Sequence, residues 1–291
     1  MPLKTIVATI FEYALIAFGW FLIWRFQFSA AAKERRKNPP ALPHWTVSAV
    51  NFTIAAFCVC IGWFTASVIL GILIKSFPSL GKDEPLRVIV GGLISELCII
   101  TGATAGAFYL RRTDQTAQDT IVPTSAIAAA PAETHIVRAA LVTFLITVAV
   151  VYPVQWLWEQ VLVLCHLPTA KQEMVEMFYR TASPSRVAGL TAMAVLFAPV
   201  AEELIFRGGL FRFLRGRLPH WVALGLPALI FAGLHVNRDT LEGLITLAPL
   251  TAFGVIFSLA YERTGRIAVV MLAHALFNLH TVVFLLLDLN N

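Results

Sequence analysis

The chain has 291 residues, of which 58% are hydrophobic and 13% charged, and it carries a net charge of +5. Soluble domains hold about 25% charged residues, and a mean hydropathy of +0.77 is too high for a single buried core. These figures exclude an ordinary soluble domain and imply a polytopic membrane protein, in which about 20 apolar residues make one helical span. Lipid admits only helices and closed barrels. The apolar runs here are continuous rather than alternating, so the expected fold class is all-α, with about eight transmembrane helices.

The first expected span covers 5–24 and is interrupted by Glu12. "SAAA" at 29–32 could mark a cleaved signal peptide, but the run is longer than an h-region of 7–15 residues and Arg25 follows it, so a retained helix is expected. The basic loop "KERRKNPP" comes next. The second span, 46–74, holds no charge until Lys75. The third, 88–110, contains Glu96 and the pair Gly102 and Gly106, whose spacing suits close helix packing. "RRTDQTAQDTIVPTSAIAAAPAETH" then reads as a mobile linker. The fourth span, 137–164, contains Pro153 and Glu159. Residues 167–186 suggest a short amphipathic surface helix. The fifth span starts near Val187, and the sixth runs from Trp221 to at least His235. The seventh covers 241–260 and the eighth 267–287. The division expected is 1–186, four spans and their linkers, and 187–291, a core that carries the chemistry.

Lysine and arginine collect in cytoplasmic loops. With the N-terminus outside, the inner loops hold more of them than the outer ones, so both termini are expected outside. The same rule explains the net positive charge without nucleic acid, and membrane lipid is the expected partner. The cysteines, Cys58, Cys60, Cys98 and Cys165, all lie in apolar runs and read as small core residues rather than a disulfide framework. The tryptophans largely mark membrane interfaces.

Ionisable groups inside a span cost roughly 2.5–3.5 kcal/mol on insertion scales, so they are functional candidates. Three places stand out. In "EELIFR", Glu203 and Arg207 are four apart and share a helix face, while Glu202 points about 100° away. In "FAGLH", the sixth run ends on His235, which could equally be an interfacial cap. In "HALFN", His274 and Asn278 share a face within a span free of formal charge, and a helix–helix hydrogen bond is the plainer reading. His280 falls on another face and receives no role. Together these groups suit general-base hydrolysis: a carboxylate activates water, a histidine assists, and a histidine and an amide donate to an oxyanion. The set Glu202, His235 and His274 could instead hold Zn²⁺, although H-E-x-x-H is absent.

The motifs E-E-x-x-x-R (Glu202 to Arg207), F-x-x-x-H (Phe231 to His235) and H-x-x-x-N (His274 to Asn278) resemble the signature of the CPBP family, the Abi or CAAX-protease group of intramembrane endopeptidases. The resemblance covers about 187–290. It implies a helical bundle around an intramembrane polar cavity open to the cytoplasmic side of the plasma membrane, and cleavage of peptide or membrane-protein substrates. It makes Glu202 the base and His235 its assistant. His274 and Asn278 become the oxyanion donors, and Glu203 and Arg207 orient the site. Members are described both as metalloproteases and as metal-free glutamate enzymes. Two other functions stay open: a non-catalytic scaffold or immunity protein of the same fold, and a proton-coupled transporter.

One geometric tension remains. Glu202 and His235 reach the same depth only if the fifth helix runs on past Gly208 or the sixth breaks, with Pro227 the natural place.

Overall fold

A computed structural model describes residues 3–35, 37, 42, 45–121, 135–169, 177–178, 181, 183–236 and 241–289. Among these the protein is helical, with no strand. Seven helices are long and apolar enough to cross a membrane, and the protein is an all-α polytopic membrane protein. An eighth apolar helix, His220–Leu234, is shorter. The chain divides into two compact units, each described by itself below: residues 1–43, 134–180 and 218–291 form one, and residues 44–133 and 181–217 the other.

In the first unit, α1 (Leu3–Ile23) winds on as a π-helical turn to Phe28 and is followed by the short α2 (Ala30–Arg35). α6 (Ile136–Leu164) is the helix against which α1 and two later helices pack. Gly19 allows the closest approach: a Cβ there would lie 2.3 Å from the Leu145 carbonyl oxygen and 2.5 Å from the Ala149 methyl. Pro153 lies within α6, where it removes one backbone donor without ending the helix. α8 (His220–Leu234) packs on α9 (Leu247–Thr264), and Gly254 gives them room, since a Cβ there would sit 2.7 Å from that of Ala228. A 3₁₀ turn, Leu241–Thr246, leads into α9, and the Trp158 indole donates to its Leu244 carbonyl at 2.7 Å. α9 stops at Gly265, which takes the left-handed conformation (φ 64°) and donates back to the Tyr261 carbonyl. The last helix, α10 (Ile267–Leu289), starts two residues later.

In the second unit, α3 (Ala49–Ser76) is capped by Ser48, whose hydroxyl accepts from the Asn51 N–H. It runs along α5 (Glu84–Ile121), to which the short α4 (Pro78–Lys82) connects it. Glycine makes this seam. A Cβ at Gly62 would come within 2.3 Å of the Cys98 carbonyl oxygen, and one at Gly102 within 2.4 Å of that of Cys58. The Gly102 and Gly106 spacing thus does what the sequence suggests. α7 (Pro184–Arg215) completes the unit against α5, where Gly92 lies directly under the Met193 sulfur. Two stretches of α7, Met193–Phe197 and Leu204–Phe211, are π-helical. The first has a local cause: Pro199 has no N–H, and the Ala198 N–H bonds to Met193 five residues back.

Three expectations change. The linker expected from Arg111 onward begins as helix, because α5 continues to Ile121; Arg111, Arg112, Gln115, Ala117 and Gln118 are good helix formers, and apolarity is not required for that. Residues 122–134 lie outside the described residues, as does most of the stretch 167–186 where a surface helix was expected. Trp63 lies mid-way along α3 with 62% of its surface exposed, so it faces outward from the span rather than marking an interface. All four cysteines are free thiols, but none is the core residue expected: Cys58 and Cys98 are half-buried and Cys60 and Cys165 exposed, because they lie on the outward faces of apolar helices.

Candidate active site

The second unit holds the acidic motif. Helix α7 runs on past Gly208 through Arg215, which is the first of the two alternatives left by the sequence. α8 keeps its course through Pro227, so the second, a break there, does not occur. On α7, Arg207 Nη1 lies 2.9 Å from Glu203 Oε1. Both side chains are sealed: Glu203 is 0% and Arg207 1% exposed. Phe206 and Phe211, also buried, flank the pair. Glu202 is half-buried, as its 100° offset predicts, and its carboxylate acts electrostatically on Arg207 alongside that of Glu203. A buried arginine is thus matched by carboxylates from its own helix. Removing one partner of such a pair costs about 3–5 kcal/mol, because the other charge stays buried. Glu96, on the helix that packs against α7, is half-buried.

The first unit holds the two histidine motifs. His235 is the C-cap residue of α8, with its N–H bonded to the Ala232 carbonyl. Its ring folds back on the last turn: Nδ1 lies 2.8 Å from the Phe231 carbonyl oxygen. A carbonyl only accepts, so Nδ1 carries the hydrogen and the neutral ring keeps its lone pair on Nε2. The capping role and a basic Nε2 are therefore compatible. His274, 4% exposed, is enclosed by phenylalanine rings. Phe253 lies 4.8 Å away at 65°, Phe257 5.7 Å away at 77°, and Phe231 6.5 Å away at 78°. Phe231 is also 4.6 Å from the His235 ring, so the two histidines share one aromatic neighbour. Asn278, half-buried, follows His274 by one turn on α10.

Phe253 and Phe257 had no part in the sequence argument. They are four apart on α9, stacked at 3.9 Å, and that spacing alone was their signal. A second polar contact also went unassigned. His280 Nδ1 and the Tyr152 hydroxyl share a hydrogen bond of 3.1 Å, with Phe144 and Phe284 against the imidazole. Thr281 hydrogen-bonds the same phenol and Glu12 lies within its electrostatic reach. Glu12 therefore finds polar company inside the first unit.

The zinc alternative finds no support in the donor arrangement. Among the described residues no group of three or more His, Cys, Asp or Glu side chains could hold a metal ion.

Comparison with known proteins finds matches over part of the chain. An uncharacterized 24.3 kDa protein of Escherichia coli is 30% identical over 107 residues, which cover 36% of this chain and 48% of that protein. The chain thus spans about half the length of the curated relative it matches. No solved structure matches. Residues 184–280, from the first residue of α7 to His280, match the model of the Type II CAAX prenyl endopeptidase Rce1-like family, the same group that the three motifs resemble.

Proposed function

We propose that this protein is an intramembrane endopeptidase that hydrolyses peptide bonds of membrane-associated substrates at the cytoplasmic side of the plasma membrane, with residues 187–291 as its catalytic core. The observation that carries the reading is the sealed Glu203–Arg207 pair in a spanning helix. Two fully buried charges are costly, and lipid-facing packing alone gives no reason for them. Beside them Glu202 is left half-buried, which suits a carboxylate that must meet water.

In this mechanism the Glu202 carboxylate takes a proton from water, and the hydroxide attacks the scissile carbonyl carbon. His235, with its lone pair on Nε2, holds the same water. His274 and the Asn278 amide donate to the tetrahedral oxyanion. The intermediate collapses as Glu202 passes its proton to the leaving nitrogen, giving a carboxylic acid and an amine. Glu203 and Arg207 fix the backbone and charge around Glu202. No step requires a metal. His235 closes a helix of 15 residues, roughly 22 Å at 1.5 Å per residue. A helix of that length stops short of the ~30 Å hydrocarbon core, which leaves His235 inside the membrane.

The test is cleavage of a diverse peptide library, including prenylated and unmodified cysteine peptides, by the purified protein in detergent, read by mass spectrometry. Wild type should cleave, Glu202→Gln and His274→Ala should not, and a chelator should make no difference. Cleavage that survives in both variants refutes the assignment. Folded protein that cleaves nothing in any arm points instead to a scaffold of the same family.

A further inference from the structure

Three helices of the first unit bring together a polar cluster that belongs to none of the three motifs. Gly19 of α1 lies against Leu145 and Ala149 of α6. Glu12 precedes it by seven residues, about two turns, and so falls on the same face of α1. The Glu12 carboxylate acts electrostatically on the phenol of Tyr152, further along α6, so the two helices run antiparallel. From α10, His280 Nδ1 shares a 3.1 Å hydrogen bond with the same hydroxyl, and Thr281 hydrogen-bonds it as well.

The direction of the donors follows from the end of this hydrogen-bond chain. Thr281 Oγ1 donates to the Phe277 carbonyl at 3.0 Å, and a carbonyl only accepts. With its one proton used there, Thr281 accepts from Tyr152, and the phenol in turn accepts from the Nδ1–H of His280. The neutral imidazole therefore has its lone pair on Nε2. That atom is buried and has no hydrogen-bond partner among the described residues. His280 as a whole is 9% exposed, with Phe144, Tyr152 and Phe284 against its ring. A buried polar atom without a partner costs about 1–3 kcal/mol, and helix packing alone gives no reason to bear it.

Charge is uncompensated on these helices too. α1 has no cation between Lys4 and Arg25, which lie 8 and 13 residues from Glu12, roughly 12 and 20 Å along the axis. α6 has none after Arg138, and α10 has none at all. The titratable groups brought to Glu12 are Tyr152 from α6 and, through the same hydroxyl, His280 from α10. Glu159 lies two turns further along the Tyr152 face of α6, and Tyr13, 69% exposed, turns away. A lone carboxylate inside a span is costly. A proton removes that charge with the groups at hand, and a base with an open lone pair stands at the same phenol.

We propose that Glu12, Tyr152 and His280 form a proton-binding site within the membrane, in which one proton is held by the Glu12 carboxyl and His280 Nε2 is the second base open to it. No other species enters. Moving the proton breaks the Glu12 O–H bond and forms the imidazole N–H bond, leaving a carboxylate and an imidazolium within one cluster.

The experiment is labelling of the purified full chain in detergent with dicyclohexylcarbodiimide, an apolar reagent that reaches groups at membrane depth, read by mass spectrometry of the Glu12 peptide. The protonated carboxyl adds across a C=N bond of the reagent, its hydrogen passing to nitrogen. Rearrangement to the N-acylurea keeps the whole reagent, so there is no leaving group and no co-reactant. Wild type should be labelled at Glu12 near neutral pH, the label should fall as the pH rises, and Glu12→Gln should take none. His280→Phe removes the second base, so the label should persist to a pH about one unit higher, the scale of a lost charged neighbour. Tyr152→Phe keeps the ring contacts but takes away the acceptor of the Nδ1–H, and should move the label the same way by less. No label at Glu12, a pH dependence unchanged in both variants, or protection of Glu12 by sodium or potassium chloride would overturn the proposal; the last would make this a site for an alkali cation. Peptide cleavage plays no part in the readout, so the proposal stands or falls apart from the endopeptidase reading.

Discussion

Glu203 in α7 and His274 in α10 are both almost wholly buried in membrane-spanning helices, yet opposite means hold them. Glu203 meets its counter-charge one turn along its own helix. His274 is surrounded by rings from two other helices, Phe231 of α8 and Phe253 and Phe257 of α9. The difference follows from the electrostatics of a dry interior. A full charge at low dielectric needs a partner that is always within reach, and the i, i+4 relation guarantees one wherever the helix goes. An imidazole carries no permanent charge, so neighbouring helices can enclose it through packing. The charge is therefore secured before the helices assemble, and the histidine only after.

The sharpest way to break this contrast is to remove the local partner. Arg207→Met leaves Glu203 buried beside an apolar side chain and should lower stability by about 3–5 kcal/mol, seen as early thermal unfolding in detergent. Glu203→Leu/Arg207→Met removes both charges and should recover most of that loss, because replacing a whole buried pair with apolar residues is often neutral. It should not recover cleavage if the pair orients Glu202. A double variant no more stable than Arg207→Met would mean that the pair is not an isolated unit.

The interhelical counterpart is Phe253→Ala. It empties the ring nearest His274 and one fully buried at 1% exposure, and it should cost about 3 kcal/mol, the lower end of the range for such truncations. Phe253→Leu keeps most of the volume and should cost under about 1.5 kcal/mol. If loss of the ring misplaces His274, cleavage by Phe253→Leu should fall more than its stability does. Equal falls would make the phenylalanine a packing residue only.

How far the sequence could be read follows the same division. Glu203 with Arg207, and His274 with Asn278, are one turn apart on single helices, so the helical period alone brings them together. The glycine seam between α3 and α5 is readable for the same reason: Gly102 and Gly106 share one face. Phe253 and Phe257 carry no such mark, because what makes them matter is a histidine on a different helix. The pairing of Tyr152 with His280, 128 positions later, is of the same kind. Helix length was misjudged in one place. α8, with 15 residues, ends where its apolar run ends, at His235. α5 instead continues past its apolar part through a stretch that includes the helix formers Arg111, Arg112, Gln115, Ala117 and Gln118, and hydropathy cannot report that.

Gly102→Val tests the readable kind of interhelical contact. Its Cβ would press on the backbone of Cys58 rather than on a side chain that can turn aside. Overpacking of this kind costs about 1–3 kcal/mol, so a loss near 2 is expected by thermal unfolding in detergent. Gly71, with open space where its Cβ would be, is the control and should accept alanine without loss.

The smallest expected effect concerns the neutral polar contact of the first unit. Tyr152 and His280 link α6 to α10, the helix that carries His274 and Asn278. Hydrogen bonds between transmembrane helices average about 0.6 kcal/mol in double-mutant cycles, because alternative partners exist in the membrane too. The cycle of Tyr152→Phe, His280→Phe and both should therefore return a coupling near that value, five- to eightfold below the loss expected for Arg207→Met. Phe keeps the ring contacts that Tyr152 makes with Phe277 and His280, so the hydroxyl alone is tested. A coupling above about 2 kcal/mol would put this pair with Glu203 and Arg207 rather than with His274. Glu12 and Thr281, which face the same phenol, would then be acting with it as one buried polar network, whose members strengthen one another beyond any pairwise bond.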